Sequence, residues 1–199
     1  MRFIKENSYI ITKLFINQIG IAILSLVLYT SLGFMEDEAL SSSIRIILSL
    51  FSTIFYFSLI YTATWEIGAD DKIKIDGGKM QPIKFKGAVI SLVANIPNFV
   101  LSAAAIVVMI IHITAGNEAC YSTFALLNLL IRFTSAMFLG ILQGTFSFLQ
   151  SNPDLFFLWQ TVGYFVMPII TVGVCHFGYE MGINEKRIFG KLFAKQPKS

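Results

Sequence analysis

The segment GAVISLVANIPNFVLSAAAIVVMIIHIT, residues 87–114, contains no Asp, Glu, Lys or Arg. A helix of about 20 such residues crosses the hydrocarbon core of a bilayer. Further apolar segments lie at about 14–34, 44–65 and 156–179, and the chain is 55% hydrophobic with a mean hydropathy of +0.71. A water-soluble domain of 199 residues could not bury that much apolar surface. The sequence therefore predicts an all-α fold, a polytopic transmembrane helical bundle that forms a single integral membrane domain over residues 1–199.

The basic residues are concentrated between the apolar segments. All of them except Arg45 and Arg132 fall into three clusters: Arg2, Lys5 and Lys13; Lys72, Lys74, Lys79, Lys84 and Lys86; and Lys186, Arg187, Lys191, Lys195 and Lys198. Cytoplasmic loops of membrane proteins hold the excess of Lys and Arg. We therefore expect both termini, the loop 66–86 and the basic tail 180–199 to face the cytoplasm. The net charge of +3 does not indicate a nucleic-acid partner, because these residues border apolar spans.

The segment 121–150 decides the number of spans. A full crossing here would make five spans and leave the basic tail outside, against the charge distribution. Its polar residues follow near-helical spacing: Asn128, Arg132, Ser135, Gln143, Ser147 and Gln150. We predict four spans plus an amphipathic segment that either lies in the outer interface or re-enters as a broken helix pair bent near Gly140 and Gly144. Five spans are the alternative. Three side chains are expected at membrane interfaces: Trp65, Arg132 and Trp159.

The loop 66–86 is the one sizeable hydrophilic region of the sequence. Its residues alternate as in β-strands on both sides of Asp76-Gly77-Gly78-Lys79, which supplies turn chemistry, so a small β-hairpin is predicted there. The hairpin would collect five lysines into a surface for anionic lipid or a cytoplasmic partner: Lys72, Lys74, Lys79, Lys84 and Lys86. The alternative is an ordinary positively charged loop that only orients insertion.

Two of the predicted spans carry a proline and a polar stripe. The third span contains Ser91, Asn95, Asn98 and Ser102 beside Pro97, and the last span contains Tyr164 and Thr171 beside Pro168. Because a proline frees backbone carbonyls in the preceding turn, neighbouring polar groups are needed to satisfy them. The two stripes either line a hydrated cavity for a solute or only hydrogen-bond and pack the helices together.

Motifs for catalysis or metal binding are absent from the sequence. There is no H-E-x-x-H, G-x-S-x-G or Gly-rich phosphate loop, and the two histidines, His112 and His176, are expected near opposite ends of their helices. We therefore predict no enzyme activity, no cofactor and no metal site. Cys120 and Cys175 are expected at different depths, too far apart to form a disulfide.

A sparse pattern of residues runs through much of the chain. It consists of Trp65-x-x-Gly68-x-x-Asp71, Lys86-Gly87, Ala94-Asn95-x-Pro97 and His176-x-x-Tyr179-x-x-Gly182. This pattern resembles a group of small integral membrane proteins of anaerobic Gram-positive bacteria, for which no activity is assigned. The resemblance implies a location in the bacterial cytoplasmic membrane and a structural unit from Trp65 to Pro97. This chain has Asp70 and Asp71 where the group more often carries extra basic residues, which argues against direct anion binding at that point.

Three classes of function remain for such a chain. The preferred one is a non-catalytic accessory subunit of a transporter, secretion or self-protection system, whose partner in the bilayer is another membrane protein or a second copy of the chain. The second is a small-solute transport or substrate-binding membrane subunit that holds its solute between the third and last spans. The third, a membrane-embedded enzyme acting on lipid, would need charged catalytic groups that the sequence does not supply.

Overall fold

The computed structural model of the chain describes residues 2–31 and 38–186, and these residues are helical with no β-strand among them. The helices are α1 (Arg2–Glu6), α2 (Ser8–Ser31), α3 (Glu38–Asp76), α4 (Lys86–Ala115), α5 (Glu118–Ser135), α6 (Leu139–Thr145) and α7 (Pro153–Ile183), with 3₁₀ turns at Ala136–Phe138 and Ser147–Leu149. By length and composition, five helical segments are able to cross a membrane. The architecture is that of a multi-pass membrane protein, in agreement with the apolar segments of the sequence.

Local sequence sets the boundaries of the central helices. α4 ends at Gly116, whose left-handed conformation (φ 63°) lets its N–H bond back to a carbonyl of the last turn. The side chain of Asn117 then caps α5 by accepting a hydrogen bond from a first-turn N–H. Asn152 caps α7 in the same way, and Pro153 follows in the first turn. These caps make α4 and α5 a tight antiparallel hairpin and start α7 sharply after the 3₁₀ turn.

The bundle has two ends, which contacts between the helices identify. At the Lys86 end, Lys86 at the start of α4 pairs with Asp71 near the end of α3 at 2.7 Å, and Tyr179 near the end of α7 bonds to the same carboxylate. At the opposite end, which we call the Arg45 end, His112 of α4 lies 3.9 Å from Asp154 of α7. α7 packs most extensively against α3 and α4. Its start lies beside the end of α4 and its end lies beside the start of α4, so these two helices run antiparallel.

α5 and α6 form a broken helix pair that enters and leaves the bundle at the Arg45 end. α5 starts beside His112 and runs inward until Ser135, where the backbone leaves helical geometry (φ −141°) and a buried 3₁₀ turn begins. α6 then returns, and its Gln143 accepts a hydrogen bond from Tyr29 near the end of α2. The start of α5 and the end of α6 therefore lie at the same end of the bundle.

Hydrogen bonds from α2 and α3 hold the tip of this broken pair. Gln18 Nε2 donates to the carbonyl oxygen of Thr134 at 3.0 Å. Ser49 Oγ and Thr53 Oγ1 both donate to the carbonyl oxygen of Met137, at 2.6 and 3.0 Å. A helix break inside an apolar bundle leaves carbonyls without partners, and each unsatisfied group is costly there. Side chains of the neighbouring helices therefore make the break possible.

Gly140 and Gly144 lie after the bend and do not form it. The bend lies at 135–138, before both glycines. A Cβ atom at Gly140 would collide with the carbonyl oxygen of Arg45, and one at Gly144 would collide with Ile46. The two glycines instead allow the α6 backbone to approach α3 closely.

The predicted β-hairpin is wrong, because residues 66–76 continue α3 and only the connection 77–85 separates that helix from α4. The alternating lysines and isoleucines lie on the last turns of α3, where Lys72 and Asp76 pair at 2.8 Å with helical i,i+4 spacing. Gly78, with φ 68°, marks the turn after the helix. Burial of Asp71 fixes one helical face in this region, so a tertiary contact overrides the local strand preference.

Candidate functional site

Several polar side chains in the half of the bundle nearer the Arg45 end have a buried atom without a hydrogen-bond partner among the described residues. On α5 these side chains are Asn128 and Arg132, and on α7 they are Gln160 and Tyr164. Each pair has i,i+4 spacing, which places both members on one helix face. Gln160 and Tyr164 are 0% and 1% exposed. Arg45 of α3 likewise has a buried Nε without a partner.

Tyr29 of α2 connects the two arginines. The guanidinium carbon of Arg45 lies 5.4 Å from the centroid of the Tyr29 ring, which is cation–π geometry. The Tyr29 hydroxyl donates to Gln143 Oε1 of α6. The charge of Arg132 acts on the hydroxyls of both Tyr29 and Tyr164. We call the following residues the arginine cluster: Tyr29, Arg45, Asn128, Arg132, Gln143, Gln160 and Tyr164.

Among the described residues, neither arginine of the cluster has an acidic partner. None of the ion pairs among the described residues involves Arg45 or Arg132. A charged side chain at the centre of an apolar helix costs about 2.5–3.5 kcal/mol on insertion scales, and ionisable residues in such helices usually belong to functional sites. The arginine cluster is therefore a candidate binding site.

Two cavities that open to the surface adjoin the arginine cluster, one beside each arginine. One, of about 230 Å³, is lined by residues that include Asn128, Arg132 and Phe157. The other, of about 190 Å³, is lined by Arg45 and Gln143 together with further residues of α6. Because a water molecule takes about 30 Å³ of liquid volume, each cavity has room for several waters or one small solute. Each is smaller than the roughly 300–1,000 Å³ typical of sites for drug-sized ligands.

A second buried charged group lies at the Lys86 end, and it is fully paired. The side chains of Lys86 and Asp71 are only 8% and 2% exposed, and their charged atoms are 2.7 Å apart. Tyr179 OH donates to the same carboxylate oxygen at 3.0 Å, while Lys74 lies 3.8 Å from the other oxygen. None of these side chains has a buried polar atom without a partner. We call Asp71, Lys86 and Tyr179 the buried ion pair, and its complete pairing is that of a structural contact.

Glycines bring three helices together around the buried ion pair. A Cβ atom at Gly182 would collide with the carbonyl oxygen of Trp65, and one at Gly68 with the carbonyl oxygen of Tyr179. A Cβ atom at Gly87 would collide with the side chain of Tyr179. Small residues at such contacts let helix backbones approach closely. The structure thus brings together most members of the sparse sequence pattern: Trp65, Gly68, Asp71, Lys86, Gly87, Tyr179 and Gly182.

The polar stripes of the third and last spans are buried where α4 packs on α7, apart from the exposed Pro97. The buried members are Ser91, Asn95, Asn98, Ser102, Tyr164, Pro168 and Thr171. Most of their hydrogen bonds stay within one helix: Asn95 Nδ2 donates to the Ser91 carbonyl at 2.9 Å, and Asn98 Nδ2 donates to Asn95 Oδ1 at 3.1 Å. Thr171 Oγ1 donates to a carbonyl of its own helix at 3.1 Å. Asn98 Oδ1 and Tyr164 OH are the stripe atoms left without partners.

The five lysines predicted to form a surface are separated by the structure. Lys79 and Lys84 are exposed in the connection 77–85, whereas Lys72 and Lys74 lie on α3 beside Asp76 and Asp71. Lys86 is buried and is not part of any surface, because it forms the buried ion pair. We call the four lysines that remain outside the core the basic surface: Lys72, Lys74, Lys79 and Lys84.

The three residues predicted at interfaces occupy different depths. Trp65 lies at the Lys86 end, where its Nε1 donates to the Lys186 carbonyl at 2.7 Å. Trp159 is 47% exposed, two turns into α7 from the Arg45 end. Arg132 lies near the inner end of α5, one turn before the break at Ser135, and is a member of the arginine cluster instead of an outer-surface residue.

Histidines and cysteines do not form a shared site. His112 lies at the Arg45 end and His176 lies beside Phe85 at the Lys86 end, with ring centroids 5.1 Å apart in the latter pair. Cys120 and Cys175 are both free thiols, the second of them buried. Within the described part of the chain, no group of three or more His, Cys, Asp or Glu side chains could hold a metal ion.

Sequence reasoning missed Tyr29, Arg45 and Gln160 as members of a site. The available signal was the position of Arg45 and Arg132, the two basic residues outside the three basic clusters. A lone arginine within an apolar stretch is costly unless it serves a function. The two arginines come together only because the broken helix pair folds back between α2 and α3, which the sequence pattern does not specify.

The fold defines the class of the protein: a multi-pass helical membrane protein, whose described residues include a half-buried polar cluster with atoms that lack partners. Comparisons with protein-family models, with curated proteins and with solved structures give no match to this chain. The function must therefore be inferred from the described residues themselves.

Proposed function

We propose that the chain is a non-catalytic membrane subunit that binds a small polar solute at the arginine cluster, either for uptake or for delivery to a transporter. The observation that carries this proposal is the set of unpartnered buried atoms on Asn128, Arg132, Gln160 and Tyr164. Each buried polar group without a partner costs about 1–3 kcal/mol. Water would supply the missing partners in the free protein, and a bound solute would supply them after displacing that water.

The break between α5 and α6 supports the same function. Solute sites of membrane transporters commonly lie near the midplane beside discontinuous helices, because irregular backbone is tolerated only where it is buried in protein or lines a cavity. Here Arg132 precedes the break by one turn, and the adjoining cavities have volumes of about 230 and 190 Å³. These dimensions suit a solute of a few heavy atoms.

For orientation, we propose four spans plus a re-entrant pair in the bacterial cytoplasmic membrane, with both termini cytoplasmic. Two observations support this. The broken pair starts and finishes at the Arg45 end, so α2, α3, α4 and α7 make an even number of crossings. The basic surface lies at the Lys86 end, which the positive-inside rule assigns to the cytoplasm. The arginine cluster would then open toward the outside.

Binding is tested by thermal unfolding of the purified protein in mild detergent, with a panel of neutral, cationic and anionic solutes of low mass. A ligand at 100 times its Kd stabilises the folded state by about 2.7 kcal/mol, so a binder raises Tm measurably. We expect at least one solute to do so in the wild type and to lose most of its effect in Tyr164→Phe. Asn95→Ala is the matched control, because the Asn95 amide is already paired within α4. If no solute changes Tm, the proposed function is wrong.

Orientation is tested by labelling single-cysteine variants with a membrane-impermeant thiol reagent in intact cells. Cys120 lies at the Arg45 end with partial exposure, and Lys84→Cys would place a thiol in the exposed connection at the Lys86 end. We expect Cys120 to react from outside and the cysteine at position 84 to react only after the cells are broken. The reverse result would invert the proposed orientation.

An accessory role with a protein partner is the second candidate, favoured by the exposure of the basic surface. Lys79 and Lys84 have no ion-pair partner among the described residues, so they are available to an acidic cytoplasmic partner or to anionic lipid. Cross-linking in native membranes should capture one defined complex, and Lys79→Glu with Lys84→Glu should release it. Recovery of the wild type only as a free monomer would exclude this role.

A further inference from the structure

We infer that the solute is a small oxyanion, whose carboxylate or phosphate group is bound at the arginine cluster through Arg45 and Arg132. This inference rests on the proposed function and names the chemical class of its ligand. Three properties of the arginine cluster lead to it: its net charge, the balance of donors and acceptors among its unpartnered atoms, and the volumes of the adjoining cavities.

The charge of the arginine cluster is positive, and no described acidic side chain pairs with it. It contains the guanidinium groups of Arg45 and Arg132, and no ion pair among the described residues involves either of them. The other members are tyrosines and amides, which are neutral. Both arginines are half-buried among apolar residues and are therefore less hydrated than in water, so an anion bound beside them is favoured.

The unpartnered atoms of the cluster are mostly hydrogen-bond donors. Arg45 Nε, Arg132 Nε, Asn128 Nδ2 and Gln160 Nε2 can only donate, and Tyr164 OH can donate as well. Gln160 Oε1 is the single unpartnered atom of the cluster that can only accept. A ligand that satisfies this set must be rich in acceptors, and a carboxylate or phosphate provides several acceptor sites.

The shape of guanidinium groups and the space beside them agree with an oxyanion. Guanidinium is planar and presents its N–H groups as a fork that matches two oxygens of one carboxylate or phosphate. The cavity on the Arg132 side has a volume of about 230 Å³ and that on the Arg45 side about 190 Å³. The first is lined partly by Phe157 and Phe124, which would contact an apolar remainder of the ligand.

The same chemistry could come from a free metabolite or from a lipid headgroup. The Arg45 cavity includes Ser147 and Gln150 in the segment between α6 and α7, at the end of the bundle where headgroups would lie. The experiment therefore uses both sources. Its free probes are acetate, succinate and inorganic phosphate, and its lipid probe is phosphatidylglycerol in mixed micelles, with phosphatidylcholine as the neutral lipid and glycerol as the neutral solute.

Affinity for each probe is measured on the purified full chain by calorimetry and by the change in Tm. We expect at least one anionic probe to bind and the neutral probes to have no effect. Arg45→Gln and Arg132→Gln should each weaken binding about 10- to 100-fold, because each removes charge-assisted hydrogen bonds. Arg132→Lys should lose less, since it keeps the charge without the fork. Lys84→Gln, an exposed charge at the opposite end, should bind like the wild type.

The outcomes separate this inference from the proposed function. Binding of glycerol alone, or of a cationic solute of the thermal panel alone, would overturn the oxyanion and leave solute binding intact, whereas no response to these probes or to that panel would overturn both. Equal anion affinity in Arg132→Gln and wild type would show that the anion binds elsewhere. A response to phosphatidylglycerol alone would identify a lipid headgroup as the source. If the arginine variants do not fold, Gln160→Leu provides the test, because it keeps both charges and should still weaken anion binding.

Discussion

The two buried charged regions of this protein differ in whether their charges are paired. In the buried ion pair, Asp71 contacts Lys86 and Tyr179, and none of these side chains has an unpartnered buried polar atom. In the arginine cluster, Arg45 and Arg132 have no acidic partner among the described residues, and neighbouring polar atoms there are unpartnered. Both regions consist of charges in apolar helices, so composition alone does not distinguish them. The pairing of the charges distinguishes the two regions, because a buried charge with partners stabilises the fold, whereas a charge without a partner can bind a ligand.

The largest effect is expected from breaking the buried ion pair. Lys86→Met leaves the Asp71 carboxylate buried with one fewer partner, and removal of one member of a buried pair costs about 3–5 kcal/mol. For a chain of this size, Tm should fall by roughly 2–4 °C for each kcal/mol. The measurement is thermal unfolding in mild detergent without added solute.

Two further variants make that first prediction specific. Lys84→Met removes an exposed lysine two residues away and should change the stability by no more than about 0.5 kcal/mol. The double variant Asp71→Leu with Lys86→Met removes both charges and should recover most of the loss. A Lys86→Met protein as stable as the wild type would mean that the contact is not structural.

A smaller loss is expected from the glycines that position the same contact. Gly182→Ala places a methyl group against the Trp65 carbonyl, and overpacking of this kind costs about 1–3 kcal/mol. Gly173→Ala, in the same helix, is the matched control, because a Cβ atom there meets nothing within 4 Å. That control should gain about 0.5–1 kcal/mol from helix propensity. Equal stabilities for the two alanine variants would contradict the close helix approach.

The smallest expected change in the free energy of unfolding is a gain, and it comes from a substitution in the arginine cluster. Gln160→Leu replaces a buried amide that has no partner on either polar atom, so the free energy of unfolding without solute should rise by about 1–2 kcal/mol. Thr161→Val, one residue away, removes a hydroxyl that already bonds to the Phe157 carbonyl at 2.8 Å, and it should give no gain. A loss of stability in Gln160→Leu comparable to that in Lys86→Met would show that Gln160 is structural.

Sequence reasoning reached the class of protein and the unusual nature of segment 121–150, but not the site. Apolar segments predict spanning helices because a bilayer requires every backbone group to be satisfied within the helix. The basic clusters argued against a full crossing by segment 121–150. The alternation of lysine and isoleucine after Trp65 was misleading, because a buried carboxylate at Asp71 decides the conformation there, and burial is a property of the folded chain.

The arginine cluster could not be derived from spacing, since its members come from five helices. Asn128 and Arg132 share a face of α5, and that much is visible in the polar stripe. The approach of Arg45 and Tyr29 depends on where the helix breaks, which is decided by hydroxyl and amide groups of α2 and α3 that reach the freed carbonyls. Such partners lie far apart in sequence and carry no local signal.

The place of α7 in the chain has a consequence for assembly. Ribosomes deliver the helices in order, and the hydroxyl and amide groups that receive the broken pair belong to α2 and α3, which are made before it. α7 is the last of the described helices and supplies Tyr179 to the buried ion pair and Gln160 and Tyr164 to the arginine cluster. A nascent chain that has not yet inserted this helix has neither region complete, so binding competence and the final gain in stability arise together, at the end of synthesis of the bundle.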